Sequence, residues 1–529
     1  MGAPCRRNSL SSERAKRKYM SQVAVEQIDS PLILSIDIGT SSIRTILYDR
    51  QGRGVLGSSA RRMFDLLITS DGTVETDADG ILDRTWSCID ETITWAGSLA
   101  NQIQAVATST FVSNILAVDK NGCAITPLIP YSDTRPSQDV HKLRQILEEE
   151  LVHQRTGCHF HPSYLPARFL WVERTHPELL RQDVRWISIG EYMLLRLFHR
   201  SVVSFSVASW TGLLNRQLLT WDDELLQKLP VDKDALSPLV DYDSPTQGLE
   251  GAFSRRWPVL RDIPWFPAIG DGASANIGSG CTTPGQVAIT MGTTTALRAV
   301  IPSHAQGTSS NLTSRVPFIP KGLWCYQVDR ENSLIGGALT EGGNIWNWMK
   351  GTFQLSGIND LEGALLSMSP AQHGLIFLPL LGGERSPGWI GEARGILAGI
   401  SLATRPLDIL RAGLEGVALR TGIIFQLLCS ALPGNPQIIA SGGALLHSPA
   451  MRHILTDVLG QPLNLSGVEE ASARGAAIVA LKALHLAQTF GSFPTYVGDI
   501  IDPDLSNHQR YLQAMQDLQN LYRMFYRNL

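Results

Sequence analysis

The chain has 529 residues, of which 43% are hydrophobic and 18% charged, and its formal net charge is −4. That length can bury a large core and points to two or more domains. The balanced charge gives no electrostatic case for a nucleic-acid partner, and no uncharged apolar run reaches the length of a membrane span. Seven scattered cysteines without a CxxC pair argue against a zinc site or a disulfide framework, and predict a reduced, cytoplasmic protein.

Residues 1–30 carry Arg6, Arg7, Arg14, Lys16, Arg17 and Lys18 among serines. They read as a disordered basic tail; an Arg- and Ser-rich targeting segment and a start at Met20 are the other readings. The folded pattern begins at Pro31. LILSIDIGTSSIRTILYDR at 32–50 reads as two short strands around a polar turn: Ile33, Leu34 and Ile36 lead to Asp37, Gly39-Thr40-Ser41-Ser42 turn, and 44–48 run back. The turn N–H groups and hydroxyls suit a phosphate, and Asp37 at the strand end suits a magnesium ion (Mg2+), directly or through water. An ordinary hairpin with a polar turn has the same sequence.

GTVETD at 72–77 puts Glu75 and Asp77 in a loop before a helix, whose Leu82, Trp86, Ile89, Ile93 and Ala96 form one apolar stripe. Asp77 or Asp79 is placed to cap that helix. Strands at 103–108 and 115–118 enclose a polar stretch that holds Ser113. In YSDTR at 131–135, Asp133 and Arg135 can bind hydroxyls or pair with each other. His161 stands in a loop, where a solvated or satisfied histidine is the plainer reading. Proline-rich sequence from 238 to 267 reads as a connection and puts a domain boundary at 268, between domains 31–268 and 269–529.

Asp271 lies between Gly270 and Gly272 at a strand-to-helix junction, where a carboxylate can cap the helix. VAITMGTTTALRAV at 287–300 repeats the earlier hairpin pattern, with Gly292 lying 253 positions after Gly39. Two such hairpins about one domain apart point to duplicated halves with phosphates pinched between them. Gly336-Gly337 and Gly342-Gly343 lead into an aromatic-rich helix, and 393–423 carries a core helix. A short strand at 437–440 runs into Ser441-Gly442-Gly443-Ala444; Ser448 reads as an N-cap, Pro449 as the first helical residue and Gly460 as the stop. A small-residue helix starts near Glu470. The last helix has Tyr511, Met515, Leu518, Tyr522, Phe525 and Leu529 on one face and packs on the body rather than forming a coiled coil.

Together these stretches resemble the FGGY carbohydrate kinases. DIGTSSIR at 37–44 looks like that family's first phosphate motif and GTTTALR at 292–298 like its second. GDGASANIGSG at 270–280 looks like the segment with the catalytic aspartate, and SGGALLHSP at 441–449 like the adenosine-side glycine turn. They stand in family order within roughly 31–525, and 156–171, 185–215 and 470–477 are similar to the gluconokinase-like branch. The resemblance implies an α/β fold of two duplicated actin-like ATPase (ribonuclease H-like) domains with a cleft between them. It implies ATP-dependent phosphorylation of a small sugar or sugar acid, gluconate first.

The implied site has Asp271 as the catalytic base, also touching the substrate, and Mg2+ at Asp37. ATP is implied at Thr40, Ser41, Ser42 and Arg44 on one side, and at Gly292, Thr293, Thr294, Gly342, Gly442, Gly443 and Ser448 on the other. Substrate contacts are implied for Glu75, Ser113, Tyr131, Asp133, Arg135 and His161, with Tyr131 lying on the apolar face of the sugar. Val112-Ser113 stand where many members carry a Met-His pair that touches sugar hydroxyls. That departure leaves a pentulose or pentitol kinase of xylulose or ribulose type open. A sugar-sensing pseudokinase is a third reading, and a chaperone- or actin-like ATPase lacks any matching peptide-binding module. The implied partner is a small molecule, with neither nucleic acid nor membrane, and a homodimer is compatible with the family.

Overall fold

The structure, a computed structural model, describes residues 21–181, 183–304, 317–353, 355 and 360–526. Its first sheet is built from β1 (Gln22–Val23), β2 (Leu32–Ile38), β3 (Ser42–Tyr48), β4 (Gly54–Val55), β5 (Ala60–Met63), β6 (Ile103–Thr110) and β7 (Ile269–Gly270). The strands run in the order β1-β4-β3-β2-β6-β7, with β5 paired to β3. The second sheet contains β8 (Gln286–Met291), β9 (Thr295–Pro302), β10 (Trp324–Gln327), β11 (Asn332–Leu339), β12 (Gln437–Ser441), β13 (Leu463–Ser466) and β14 (Val497–Ile501), in the order β10-β11-β9-β8-β12-β13-β14. The helices that frame them are α1 (Ala78–Ala96), α2 (Leu165–Thr175), α3 (Asp271–Gly278), α4 (Gly343–Thr352), α5 (Pro406–Ser430), α6 (Pro449–Leu459), α7 (Ala471–Ala483) and α8 (Leu505–Tyr526).

The two sheets repeat one connectivity. Strand β2 lies antiparallel to β3 and parallel to β6; β8 lies antiparallel to β9 and parallel to β12. The fold is therefore α/β with duplicated halves, as the paired hairpin motifs predict. Every residue of β2 is buried because helices cover both faces of the sheet. Leu32, Leu34, Ile36 and Ile38 share a core with Ile81, Leu82, Trp86 and Ile89 of α1. Ile33 joins a second core with Ala473, Ala476, Ala477 and Ala480 of α7, so a helix from late in the chain closes the first sheet. The Ser35 hydroxyl donates to the Ala473 carbonyl at 2.7 Å.

Small residues explain how α3 and α7 fit there. A Cβ on Gly475 would stand 1.8 Å from the Ser274 carbonyl oxygen, and one on Gly278 would stand 1.9 Å from that of Ala471. The helices meet backbone to backbone, which no larger side chain allows. Helix α5 is long and apolar enough to cross a membrane by length and composition, but its most apolar window is 78% buried. It is the central helix of the core beneath the second sheet.

Three expectations change. Residues 1–20 lie outside the described residues, but 21–30 are not a disordered tail: Gln22–Val23 pairs in parallel with β4, and Val23 is buried. One valine set against a sheet edge is too short a signal to read beside a basic stretch. The boundary expected at 268 falls inside the first sheet's connectivity, because Ile269–Gly270 pairs with β6. On α8, Tyr511, Met515 and Leu518 are buried while Phe525 is exposed, and Leu529 lies outside the described residues. The stripe outruns the surface it packs on.

Candidate active site

Parallel pairing brings the two aspartates together. On either side of β6, Asp37 of β2 stands opposite Ser109, and Gly270 of β7 stands opposite Thr110. Asp37 and Asp271 thus emerge at the same carboxyl ends of parallel strands, the usual place for a ligand in such sheets. Asp271 is the first residue of α3, not its cap; Gly270 holds the cap position. Its Oδ1 accepts from the Gly272 N–H at 2.8 Å. Burial raises the Asp271 pKa above the ordinary carboxylate range, and the Arg298 guanidinium opposes that rise. Arg298 belongs to β9 of the second half, so Asp271 faces the second phosphate hairpin across the cleft. A Cβ on Gly272 would stand 3.3 Å from Arg298 Nε.

Burial pushes Asp37 up to about 7 against the Arg44 charge, with Asp271 and Glu470 adding to the rise. Its Oδ1 is buried without a hydrogen-bond partner. Among the described residues there is no group of three or more His, Cys, Asp or Glu placed to hold a metal. One carboxylate with an orphaned oxygen fits magnesium, which keeps waters and binds mainly through substrate phosphates.

The two turns differ in what they offer. In the first, Gly39 N–H donates to the Ser42 carbonyl at 2.9 Å, leaving Thr40 and Ser41 at the tip. The Ser42 hydroxyl oxygen accepts from Arg44 at 3.3 Å and from Arg61 at 3.4 Å. Arg44 is ion-paired with Glu470 and lies 3.6 Å from Asp37, so it bridges two acids rather than standing free for phosphate. In the second turn, Gly292 N–H donates to Thr294 at 3.0 Å and Gly343 N–H to Gly292 at 2.7 Å.

Beside this second turn is a cavity of about 660 Å³, lined by Gly292, Thr293, Gly342, Gly343, Gly443, Ala444, His447 and Ser448, with Trp346, Asn347, Lys350 and Glu362 on its walls. That volume matches a small-molecule or cofactor site. Gly442 adjoins it with φ +101°, and a Cβ there would meet the Met291 carbonyl oxygen at 2.3 Å. Thr294 and Gly442 shape the backbone without lining the cavity. The Ser448 hydroxyl accepts from Met451 N–H at 3.1 Å as the cap of α6, so it offers a wall more than a free acceptor.

On the other side of the cleft, several expected substrate residues serve the fold. Asp133 is 1% exposed, and its carboxylate accepts from Val74 N–H, Arg135 N–H and Arg135 Nε at 2.8–3.1 Å. It is withdrawn from any ligand, because an acid between a strand end and a guanidinium is fully satisfied. Arg135 also reaches Glu75 at 3.4 Å and covers the Trp171 ring of α2 at 4.5 Å. The Ser113 hydroxyl donates to the Trp210 carbonyl at 2.6 Å and is buried; it too turns inward. Tyr131 faces the Arg385 guanidinium, 6.0 Å from its ring centre. His161 is partly buried beside the Trp389 ring; Ser163 N–H donates to its Nδ1 at 3.2 Å, so the ring proton sits on Nε2. Burial and the Arg385 charge lower its pKa to about 3, which keeps it neutral.

Four residues of the site carry no role in the sequence reading. Arg298 and Glu470 face Asp271 and Arg44. Arg168 is buried and donates to the carbonyls of Ser113, Ile129 and Pro130 at 2.6–3.1 Å, fixing two substrate-side loops. Arg385 follows a glycine pair. Arg298 and Glu470 sit inside motif stretches, which is the one signal that marks them; nothing local marks Arg168.

A buried aspartate facing a glycine-threonine turn across a cleft is an arrangement suited to phosphoryl transfer, and the repeated sheets match a two-domain actin-like ATPase build. Family comparison agrees. The N-terminal domain of the FGGY family of carbohydrate kinases matches residues 32–278 and its C-terminal domain matches 287–484. The chain belongs to this family and is a carbohydrate kinase. A gluconokinase of Bacillus subtilis (strain 168) is 26% identical over 93% of this chain and 96% of its own length. A xylulose kinase of Lactococcus lactis subsp. lactis (strain IL1403) is 24% identical over the same 93% share, covering 96% of its own length. The gluconate kinase from Lactobacillus acidophilus superposes with a TM-score of 0.83 at 24% identity, over 93% of this chain and 98% of that one.

Proposed function

We propose that the protein transfers the γ-phosphoryl group of ATP to a hydroxyl of gluconate, giving 6-phosphogluconate, with Asp271 as general base. The observation that carries the mechanism is the buried Asp271 at the start of α3, facing Arg298 of the second phosphate hairpin. Similarity to gluconokinases over nearly the whole chain favours gluconate as acceptor.

In this reading the adenosine lies in the cavity beside Gly443, His447 and Ser448, and the phosphates reach the cleft between the turns at Gly39–Ser42 and Gly292–Thr294. Thr40 and Ser41 donate from one side and Thr293 from the other. Asp37 would hold magnesium, which offsets phosphate charge when bound. The acceptor hydroxyl loses its proton to Asp271 as its oxygen attacks the γ-phosphorus and ADP leaves. Most of the acceleration comes from positioning and charge, not from the base alone. Closing the cleft excludes water and limits idle ATP hydrolysis.

The near-equal reach of xylulose kinases along the chain favours a pentulose as second reading. Coupled ADP release over gluconate, xylulose, ribulose, xylitol, glycerol and no sugar separates the two. Gluconate is expected to give the highest kcat/KM. A pentulose in first place would replace the acceptor and leave the mechanism standing.

A further inference from the structure

We infer that Arg385 binds the carboxylate of a sugar-acid substrate, with the His161 Nε2–H donating beside it. This rests on the sugar-acid reading above and names the residue that enforces it.

Among the described residues, Arg385 is in no ion pair, and its Nε is buried without a hydrogen-bond partner. Its neighbour in sequence does not serve it: Glu384 pairs with Arg420 and accepts from the Tyr522 hydroxyl at 2.6 Å. The Arg385 guanidinium lies over the Tyr131 ring, and its charge reaches His161, Tyr164, Tyr326 and Arg298. Arg298 in turn acts on Asp271. These influences link Asp271 through Arg298 to Arg385, which lies beside Tyr131 and acts on His161.

Tyr164 and Tyr326, which feel the Arg385 charge, are buried aromatic residues. The Tyr164 and Tyr326 hydroxyls are hydrogen-bonded, and Trp210 stacks on Tyr326 with ring centres 3.6 Å apart. Arg385 is partly exposed, with its Nε shut away from solvent and unpartnered, so an acceptor brought to it satisfies a donor the fold leaves open. Neutral His161 adds a donor and no further charge. A planar carboxylate supplies the missing partner in the two-point geometry a guanidinium favours, whereas a neutral sugar offers hydroxyls alone. Of the other arginines on this side, Arg135 is paired with Asp133 and Glu75 and Arg168 is taken up by three backbone carbonyls, so of these three Arg385 is the one without a partner among the described residues.

The test uses the full-length enzyme with Arg385→Met and Arg385→Lys. KM for gluconate and for ATP is measured separately, and glucitol, the neutral alditol counterpart, is titrated as a competitive inhibitor. Arg385→Met is expected to raise the gluconate KM about 10- to 100-fold, the loss of one charged hydrogen-bonding group. ATP KM and glucitol inhibition stay at wild-type values, and Arg385→Lys recovers part of the loss, which also shows that the site still folds. An unchanged gluconate KM, an equal loss for glucitol, or a rise in ATP KM would overturn the assignment. Wild-type enzyme that turns over no sugar acid fails the gluconate reading first and takes Arg385 with it; wild-type turnover with an unchanged variant fails Arg385 alone.

Discussion

At the scale of single residues, Asp271 combines two opposed influences. Burial disfavours its charge, and Arg298 favours it. With Asp271 as the proposed base, its raised pKa predicts that kcat/KM falls as pH drops, with the acid limb shifted upward from the usual carboxylate value, because a protonated acid cannot accept the hydroxyl proton. Replacing Arg298 with Met removes the lowering influence, so the acid limb is expected to move to higher pH; a limb that stays put or moves down contradicts the pairing. Asp271→Asn is expected to lower kcat by about 10²- to 10⁴-fold in steady-state assays, and wild-type turnover in that variant would remove the base. His161, held neutral down to about 3, contributes no limb near neutrality. Asp271 was marked by the family resemblance; its flanking glycines alone pointed to a helix cap, a position that Gly270 takes instead. The partner of Arg298 was not legible: alternation along a strand tells which face a side chain takes, but not which acid in another domain it meets.

Elements were more legible than contacts. Asp77 caps α1, Ser448 caps α6, and Gly460 ends α6 in a left-handed conformation, each as the sequence signals predict, because caps are made by neighbours in the chain. The glycine turns were legible as turns, yet the reason for Gly442 lies in another strand. Its φ of +101° and the nearby Met291 carbonyl exclude a side chain. Gly442→Ala is expected to destabilise the protein by about 1–3 kcal/mol in chemical denaturation and to raise the ATP KM, since the turn borders the cavity. A variant with unchanged ATP KM would separate that turn from the nucleotide. Asp133 shows the converse. Its motif marks it for a ligand, and only burial between Val74 and Arg135 shows that it is taken up by the fold.

Over the whole molecule, the two halves are joined by α7 lying under the first sheet beside α3. Arg474 ties this junction together. It is 1% exposed and donates to the carbonyls of Gly52, Gly278 and Pro494, drawn from three separated segments. Arg474→Met leaves those acceptors without a donor, and each buried orphan costs about 1–3 kcal/mol. A large fall in the denaturation midpoint is expected; a midpoint equal to wild type would show that the junction does not depend on Arg474.

By itself the sequence determined the duplicated α/β plan, the family, the two hairpins, the helix caps and the aspartate at the head of α3. These depend on periodicity, turn chemistry and spacing, which are local. Tertiary structure alone decided that Gln22–Val23 joins the sheet, that Asp133 and Ser113 face inward, that Arg44 bridges Asp37 and Glu470, and that the charges of Arg298 and Arg385 act on each other. Each depends on groups far apart in the chain, whose charge and burial take effect only once the sheets and α7 bring them together.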